Sequence, residues 1–543
     1  MEEDLKPFET IGLCFSGGGY RATFFALGVI AYLDKIDFDG KSLLNRVEAL
    51  SSVSGGTLLA AAYTKEVQDP NFTFVSFYKK FYNAFTPKDD RLLETAVDKL
   101  EDESLWKAHP HKKRSLINAF ALTYADFDFF KGGLDIFEKP NSQGPSAFCF
   151  NATDFSFGLA FRFQNTGRFG NKPLYCAELN AIKGQVQIAD VVASSSCFPM
   201  GFEPLLFPDD YIAEQTKPEY KALKRLEQFT DGVGVMDGGI VDNQGIGSMV
   251  NIDKAKKLDL IIINDVGSYK MEPWQPDTTK AGSKKSLKDT VLKILGHFGL
   301  NWTYWVTLVV GILLLILNSL QVFKGESWVS LYLVGGILTG IGLTLTVLGV
   351  GLAVVKSTVI DRLKLIFRKV VPEVLLDDVV SLDGLDVGTI KVLLTERMTS
   401  TVKMVSDIFL KQIRRLNYDL VYAKEALRNK VISSTVYELN GQETLYKKDD
   451  ADAKIKPMPS KQLKRVALIA SEAPTSLWWD ENDVKNDRMD SLIACGQFTT
   501  CYNLIDYILK LEGKGKNTAA TDALKKALIK DWKAFNKNPV FMV

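Results

Sequence analysis

The chain has 543 residues, 46% of them hydrophobic, and its 66 basic and 65 acidic side chains leave a formal net charge of +1. Domains usually run to about 100–200 residues, so this length points to more than one structural unit, and the balanced charge supplies no global field for a polyanion, which removes nucleic acid from the expected partners. The six cysteines (Cys14, Cys149, Cys176, Cys197, Cys495 and Cys501) form no CxxC pair, a pattern of reduced thiols rather than of a disulfide frame or a zinc site.

The opening Met1-Glu2-Glu3-Asp4 has neither the basic nor the apolar region of a secretory leader. Ile11 to Phe15 reads as a short buried strand, followed by a glycine turn and a helical run from Thr23 to Leu33. Val47 to Val53 reads as a second strand, again followed by glycines and a helix from Thr57 to Tyr63. Residues 84–145 read as irregular and insertion-like. Leu258 to Val266 is an almost continuous apolar strand. Strands alternating with helices predict an α/β fold, a sheet flanked by helices on both faces, over residues 8–270.

Two long uncharged runs follow, Trp302 to Phe323 and Ser327 to Val355. A bilayer-spanning helix needs roughly 20 apolar residues, so both qualify; the alternative is a pair of buried core helices. The three-residue link Lys324-Gly325-Glu326 forces an antiparallel transmembrane hairpin over residues 302–355. Lys284, Lys285, Lys288 and Lys293 precede the pair, and Lys356, Arg362, Lys364, Arg368 and Lys369 follow it, whereas the link offers only Lys324. This bias predicts a two-helix membrane protein with both termini and the α/β domain in the cytoplasm. The GxxxG step Gly336-Ile337-Leu338-Thr339-Gly340 is expected to pack the two helices together or to join protomers into a homo-oligomer.

Beyond the hairpin, residues 370–430 read as helical, with strands at Val431 to Leu439 and Arg465 to Ala470. The second of these is expected to extend the first sheet. Residues 370–515 then complete the first domain, and the hairpin is an insertion.

Three stretches carry chemistry. Ser16-Gly17-Gly18-Gly19-Tyr20-Arg21 lies between strand and helix, where glycines let backbone N–H groups converge on an anion at a helix start; such turns also bind nucleotides or simply turn. Ser52-Val53-Ser54-Gly55-Gly56 has the small residues two before and two after a serine that a nucleophile elbow needs; an ordinary N-cap serine looks the same in isolation. Met236-Asp237-Gly238-Gly239 puts an aspartate on a tight turn, a common place for one. The run Lys112-Lys113-Arg114 could meet anionic lipid headgroups, though most such runs are solvated loops.

In this order on an α/β pattern, the glycine loop, the serine elbow and the Asp-Gly-Gly turn closely resemble the patatin-like phospholipase family. Ala193-Ser194-Ser195-Ser196-Cys197-Phe198-Pro199 resembles the family's block of small residues ending in proline, and Ala470-Ser471-Glu472-Ala473-Pro474-Thr475 resembles a later strand-end segment. The resemblance implies Ser54 as nucleophile, Asp237 as its base, and Gly17, Gly18 and Gly19 as the oxyanion loop, with Arg21, Gly56, Gly238 and Gly239 in support. Ser52 departs from the glycine that usually begins the family's elbow. The implied activity is a membrane-anchored serine lipid acyl-hydrolase, a phospholipase A or lysophospholipase, working on membrane phospholipid or lysophospholipid by a Ser–Asp dyad, without metal or cofactor. Lipid acyl transfer through the same acyl-enzyme and a non-enzymatic membrane effector remain open beside it. A histidine triad is the other mechanism, but the chain has three histidines, His109, His111 and His297. None follows a strand in the manner of an acid–base histidine.

Overall fold

Short runs of Val, Ile, Leu and Phe bounded by glycine turns build one sheet of eight strands. In chain order the elements that position the site are β1 (Ile11–Phe15), α1 (Gly19–Lys35), β2 (Val47–Val53), α2 (Gly55–Glu66), β3 (Ala147–Asp154) and β4 (Leu159–Gln164). Then come α3 (Ile188–Ser195), β5 (Leu205–Phe207), β6 (Val233–Asp237), α4 (Ile246–Lys256), β7 (Leu260–Asp265), α5 (Leu410–Tyr422), β8 (Val431–Thr435), α6 (Lys461–Ser471) and α7 (Arg488–Gly513). The computed structural model describes residues 6–88, 90–138, 143–199, 201–268, 274–275, 302–322, 328–347, 387–441 and 455–543.

The strand order is β8-β7-β1-β2-β3-β6-β5, with β4 also paired to β3. The steps from β8 to β3 are parallel, whereas β4 and β6 pair with β3 antiparallel and β5 with β6 likewise. Side chains alternate between two cores, as the two-residue period of a strand requires. Leu13 and Phe15 of β1 join Leu50 and Phe148 in one cluster with α1 and α7. Cys14, Ala49, Cys149 and Ile261 join a second cluster with Met249 of α4 and Tyr418 and Val421 of α5. Both faces are therefore covered, which is why β1 and β7 are buried at every position.

Residues 1–271 and 405–543 form one compact unit, and residues 272–404 a second. In the first unit, α1 and α7 approach so closely that a Cβ on Gly28 would lie 2.0 Å from the carbonyl oxygen of Ile493, and one on Gly496 would lie 2.0 Å from that of Phe25. Each helix thus needs a glycine where the other's backbone passes.

Arg465 to Ala470 is not a strand but part of α6, capped by Ser460, which accepts from the Leu463 amide, and buried along Leu463, Ala467 and Ala470. A six-residue apolar run fits either period, and the helical spacing of the buried positions decides it. Residues 84–145 are not irregular: they include helices Leu92–Glu101, Glu103–Ala108 and Leu116–Tyr124, which bury Ala96, Trp106 and Phe120. Their N-caps, Asp102 and Ser115, accept from the amides of Ser104 and Asn118. The helices are short and polar-ended, which hides their period.

In the second unit, Trp302–Ser319 and Val329–Val347 are long and apolar enough to cross a membrane. They cross at Gly311 and Gly342, where an added Cβ would lie 2.5 Å from the backbone nitrogens of Thr339 and Leu308 respectively. Gly336 and Gly340 face open space, so of the two roles expected of them they do not pack this pair of helices; Gly311 and Gly342 do. Asn318 closes the turn, donating to the Trp328 carbonyl and accepting from its amide, both at 2.9 Å. Lys324-Gly325-Glu326, residues 348–355 and the basic flanks lie outside the described residues.

Candidate active site

The site forms where two strands end against a third. Val53, the last residue of β2, pairs with Asn151 of β3; Asp237, the last residue of β6, pairs with Ala152. On its other edge β3 pairs Asn151 with Arg162 and Ala152 with Phe161 of β4. A strand has two edges, so β2 and β6 share one and meet with their carboxyl ends facing. Ser54 and Asp237 thereby come together although far apart in sequence.

Ser54 adopts φ 52°, ψ −125°, a conformation that costs an L-residue of order 1–3 kcal/mol and that a surrounding structure must enforce. The enforcement is visible. The Ser54 amide donates to Ser195 Oγ at 2.9 Å, and Ser195 donates to the Asn151 carbonyl at 2.7 Å. With its one proton so used, Ser195 accepts from Thr57 at 2.8 Å, and Thr57 accepts from Ser52 at 3.0 Å. Ser52 therefore fills the family's glycine position as an ordinary strand residue: no positive φ is required there, and its hydroxyl anchors the chain of hydrogen bonds. Close approach explains the glycines that follow, since a Cβ on Gly55 would lie 1.9 Å from the Gly19 carbonyl oxygen and one on Gly56 2.7 Å from that of Ser16.

Asp237 is buried, with 7% of its surface exposed. Its amide donates to the Cys197 carbonyl at 2.9 Å, and its carbonyl accepts from Thr153 Oγ1 at 2.8 Å. Its carboxylate accepts from the Gly239 amide at 2.6 Å, and the Ser54 hydroxyl lies near enough to lower its pKa. Burial pushes its pKa up to about 6, with these two neighbours pulling the other way. A Cβ on Gly238 would lie 2.5 Å from the Asn151 carbonyl oxygen, and one on Gly239 would lie 2.7 Å from Asn243 Oδ1. Both glycines allow the turn to fold back on the sheet.

The glycine loop lies beside the serine: a Cβ on Gly17 would stand 3.1 Å from that of Ser54. The Gly17 amide, however, donates to the Asn243 carbonyl at 2.8 Å, so it braces the loop. Gly18, at φ 138°, caps α1 and Gly19 begins it, and amides at a helix start have no intrahelical acceptor. α2 starts in contact with the same loop, its Gly55 carbonyl accepting from Thr23 Oγ1 at 2.7 Å. Two helix N-termini therefore converge on Ser54, an arrangement that favours negative charge there. Arg21 turns away, donating to Tyr437 Oη at 2.8 Å and to the Ser471 carbonyl at 3.2 Å; it ties α1 to the segment following β8 and to the end of α6.

His109 bonds the Leu105 carbonyl through Nδ1 at 3.0 Å and packs on His111, whose pKa burial lowers to about 4; His297 lies outside the described residues. Lys112 is no solvated lipid contact. It is buried in an ion pair with Asp190 at 2.6 Å, and Arg114 Nε donates to the Leu100 carbonyl.

Several site residues escaped sequence reasoning. Asn151 donates to Ser51 Oγ and to the Ser52 carbonyl, and accepts from Ser248; a lone amide within a buried aromatic strand was its signal. Asp265 accepts from Arg414 Nε at 2.7 Å, Tyr418 Oη at 2.9 Å and Gln244 at 3.2 Å. That buried cluster fastens α5 beside the loop bearing Asn243, and nothing in the local sequence pairs residues so distant.

The sheet and its strand ends define an α/β protein with a strained serine elbow beside a buried carboxylate. Residues 13–250 match the model of the patatin-like phospholipase family, so the chain carries a patatin-like phospholipase domain, that of a family of lipid acyl-hydrolases. No curated protein matches the chain significantly.

Proposed function

We propose that this chain is a membrane-anchored serine lipid acyl-hydrolase, a phospholipase A or lysophospholipase, in which Ser54 is the nucleophile and Asp237 its base. The nearness of the Ser54 hydroxyl to the buried Asp237 carboxylate, where β2 and β6 end on one edge of β3, supports this reading. A carboxylate with a pKa near 6 is ionised at neutral pH yet basic enough to take the serine proton, the compromise that general-base catalysis requires.

Asp237 accepts the Ser54 proton as Oγ attacks the ester carbonyl. The amides of Gly18 and Gly19, at the start of α1, face the oxyanion, each donor typically contributing about 3–4 kcal/mol. Collapse expels the alcohol, which takes the proton from Asp237 and leaves an acyl-serine. Asp237 then deprotonates water, whose attack releases the fatty acid and restores the hydroxyl. The two apolar helices hold the domain at a bilayer with its active site in the cytoplasm, and membrane phospholipid or lysophospholipid is the substrate.

The test is a fluorophosphonate probe on the full chain. Labelling of the parent that vanishes in Ser54→Ala supports the reading; equal labelling of both proteins overturns it.

A further inference from the structure

A groove of about 500 Å³ opens beside the candidate active site, lined by Phe155, Phe198, Pro199, Ile240, Phe409 and Ile413 among others, with Gln412 the one polar residue among the described lining. Its volume and apolar lining are those of a small-molecule site, which typically spans about 300–1,000 Å³. One wall grows directly from the residues that hold Asp237. Phe198 follows Cys197, whose carbonyl accepts the Asp237 amide, and Ile240 follows Gly239, whose amide bonds the Asp237 carboxylate. Phe155 donates its amide to the Gly234 carbonyl of β6 at 2.8 Å, the strand that ends at Asp237.

The other wall lies outside the family match. It comes from residues 405–409, a π-helical stretch, and the first turn of α5, including Val405, Leu410 and Ile413. Asn417 of α5 donates to the Val241 carbonyl at 3.2 Å, and Arg414 pairs with Asp265. Those bonds seat α5 on the turn after Asp237. The rim is apolar and open to solvent, with Phe155 59% and Phe409 52% exposed. A soluble surface seldom leaves aromatic side chains clustered in this way without a ligand for them.

We infer that this groove binds the acyl chain of the lipid substrate, and that α5 and the turn before it are the chain-length gauge. The inference rests on the hydrolase reading for the position of the ester but not for binding of the chain itself. The described lining is almost wholly apolar, which suits an alkyl chain, since it asks for no hydrogen bonds, better than a headgroup or a peptide backbone. Each methylene that enters should raise kcat/KM about fourfold until the groove is full.

The experiment uses the full chain in membranes with a palmitic acid carrying a diazirine near its terminal methyl. Cross-links should map to Phe198–Pro199 or to residues 405–413, in the parent and in Ser54→Ala alike. They should fall at least tenfold in Ile413→Trp, which fills the groove, and in Phe409→Asn, whose half-exposed position tolerates a polar side chain. In an ester series, the ratio of long-chain to short-chain kcat/KM should fall at least tenfold in the same variants. Cross-links confined to residues 302–347, or unchanged by both substitutions, overturn the groove. Cross-links in the groove of a protein that turns over no ester would uphold the groove and overturn the hydrolase reading.

Discussion

The amide of Ser54 donates to the hydroxyl of Ser195 at 2.9 Å, so a residue at the end of α3 holds the strained turn after β2. Ser195→Ala removes that acceptor and also strands the Asn151 carbonyl and the Thr57 hydroxyl. Leaving buried groups unsatisfied costs about 1–3 kcal/mol each. The variant should lose roughly 2–4 kcal/mol of stability on that basis and label with fluorophosphonate at least tenfold more slowly. Normal stability and normal labelling would mean that the elbow holds itself.

Asp237 is the next test. Its pKa, raised by burial to about 6, lies above the unfolded value, so the folded state binds more protons between about pH 4 and 6. Stability from this group is therefore lost as pH rises through that window. Hydrolysis should rise through the same interval and level off above it. Asp237→Asn should abolish turnover, be no worse in combination with Ser54→Ala, and raise the melting temperature at pH 7 by removing a buried charge. A variant that keeps near-normal turnover, or a flat pH profile, would exclude Asp237 as the base.

Replacing His109, His111 and His297 together should leave hydrolysis within about threefold, since a general base contributes about 10²–10⁴-fold and none of these side chains is assigned that role. His111, with its pKa lowered to about 4 by burial, stays neutral across the working pH range. Loss of several orders of magnitude from a single replacement would restore a histidine mechanism.

Replacing residues 302–355 with a short flexible linker should render the protein soluble. Activity on bilayer lipid should fall far more than activity on a small soluble ester, because anchoring acts through effective concentration. A parallel loss on both substrates would show that the hairpin organises the site. A cysteine at position 325 should react with an impermeant reagent outside intact cells; reaction only after lysis would reverse the proposed topology.

What could be read directly from the chain was whatever depends on neighbours in sequence. The strand–glycine–helix units around Gly17–Gly19 and Ser54, the Asp-Gly-Gly turn and the two apolar helices all follow from local pattern and composition. Length and composition marked these helices as able to cross a membrane. Local pattern also misled. Arg465 to Ala470 fits strand and helix equally until its buried side is known, and Gly336 and Gly340 fit a packing motif whose face is set by the partner helix.

Tertiary structure decided the rest, because it depends on pairings no short segment contains. Only the register of β3 brings Asn151 against Val53 and Ala152 against Asp237, which turns two separate strand ends into one site. Only the fold reveals that the Gly17 amide is already taken by Asn243, that Arg21 serves Tyr437 and Ser471, and that α5 walls the groove beside Asp237. A hydrogen bond or a buried cavity is a relation between distant residues in space, and the energy that favours it appears only once the chain has closed around it.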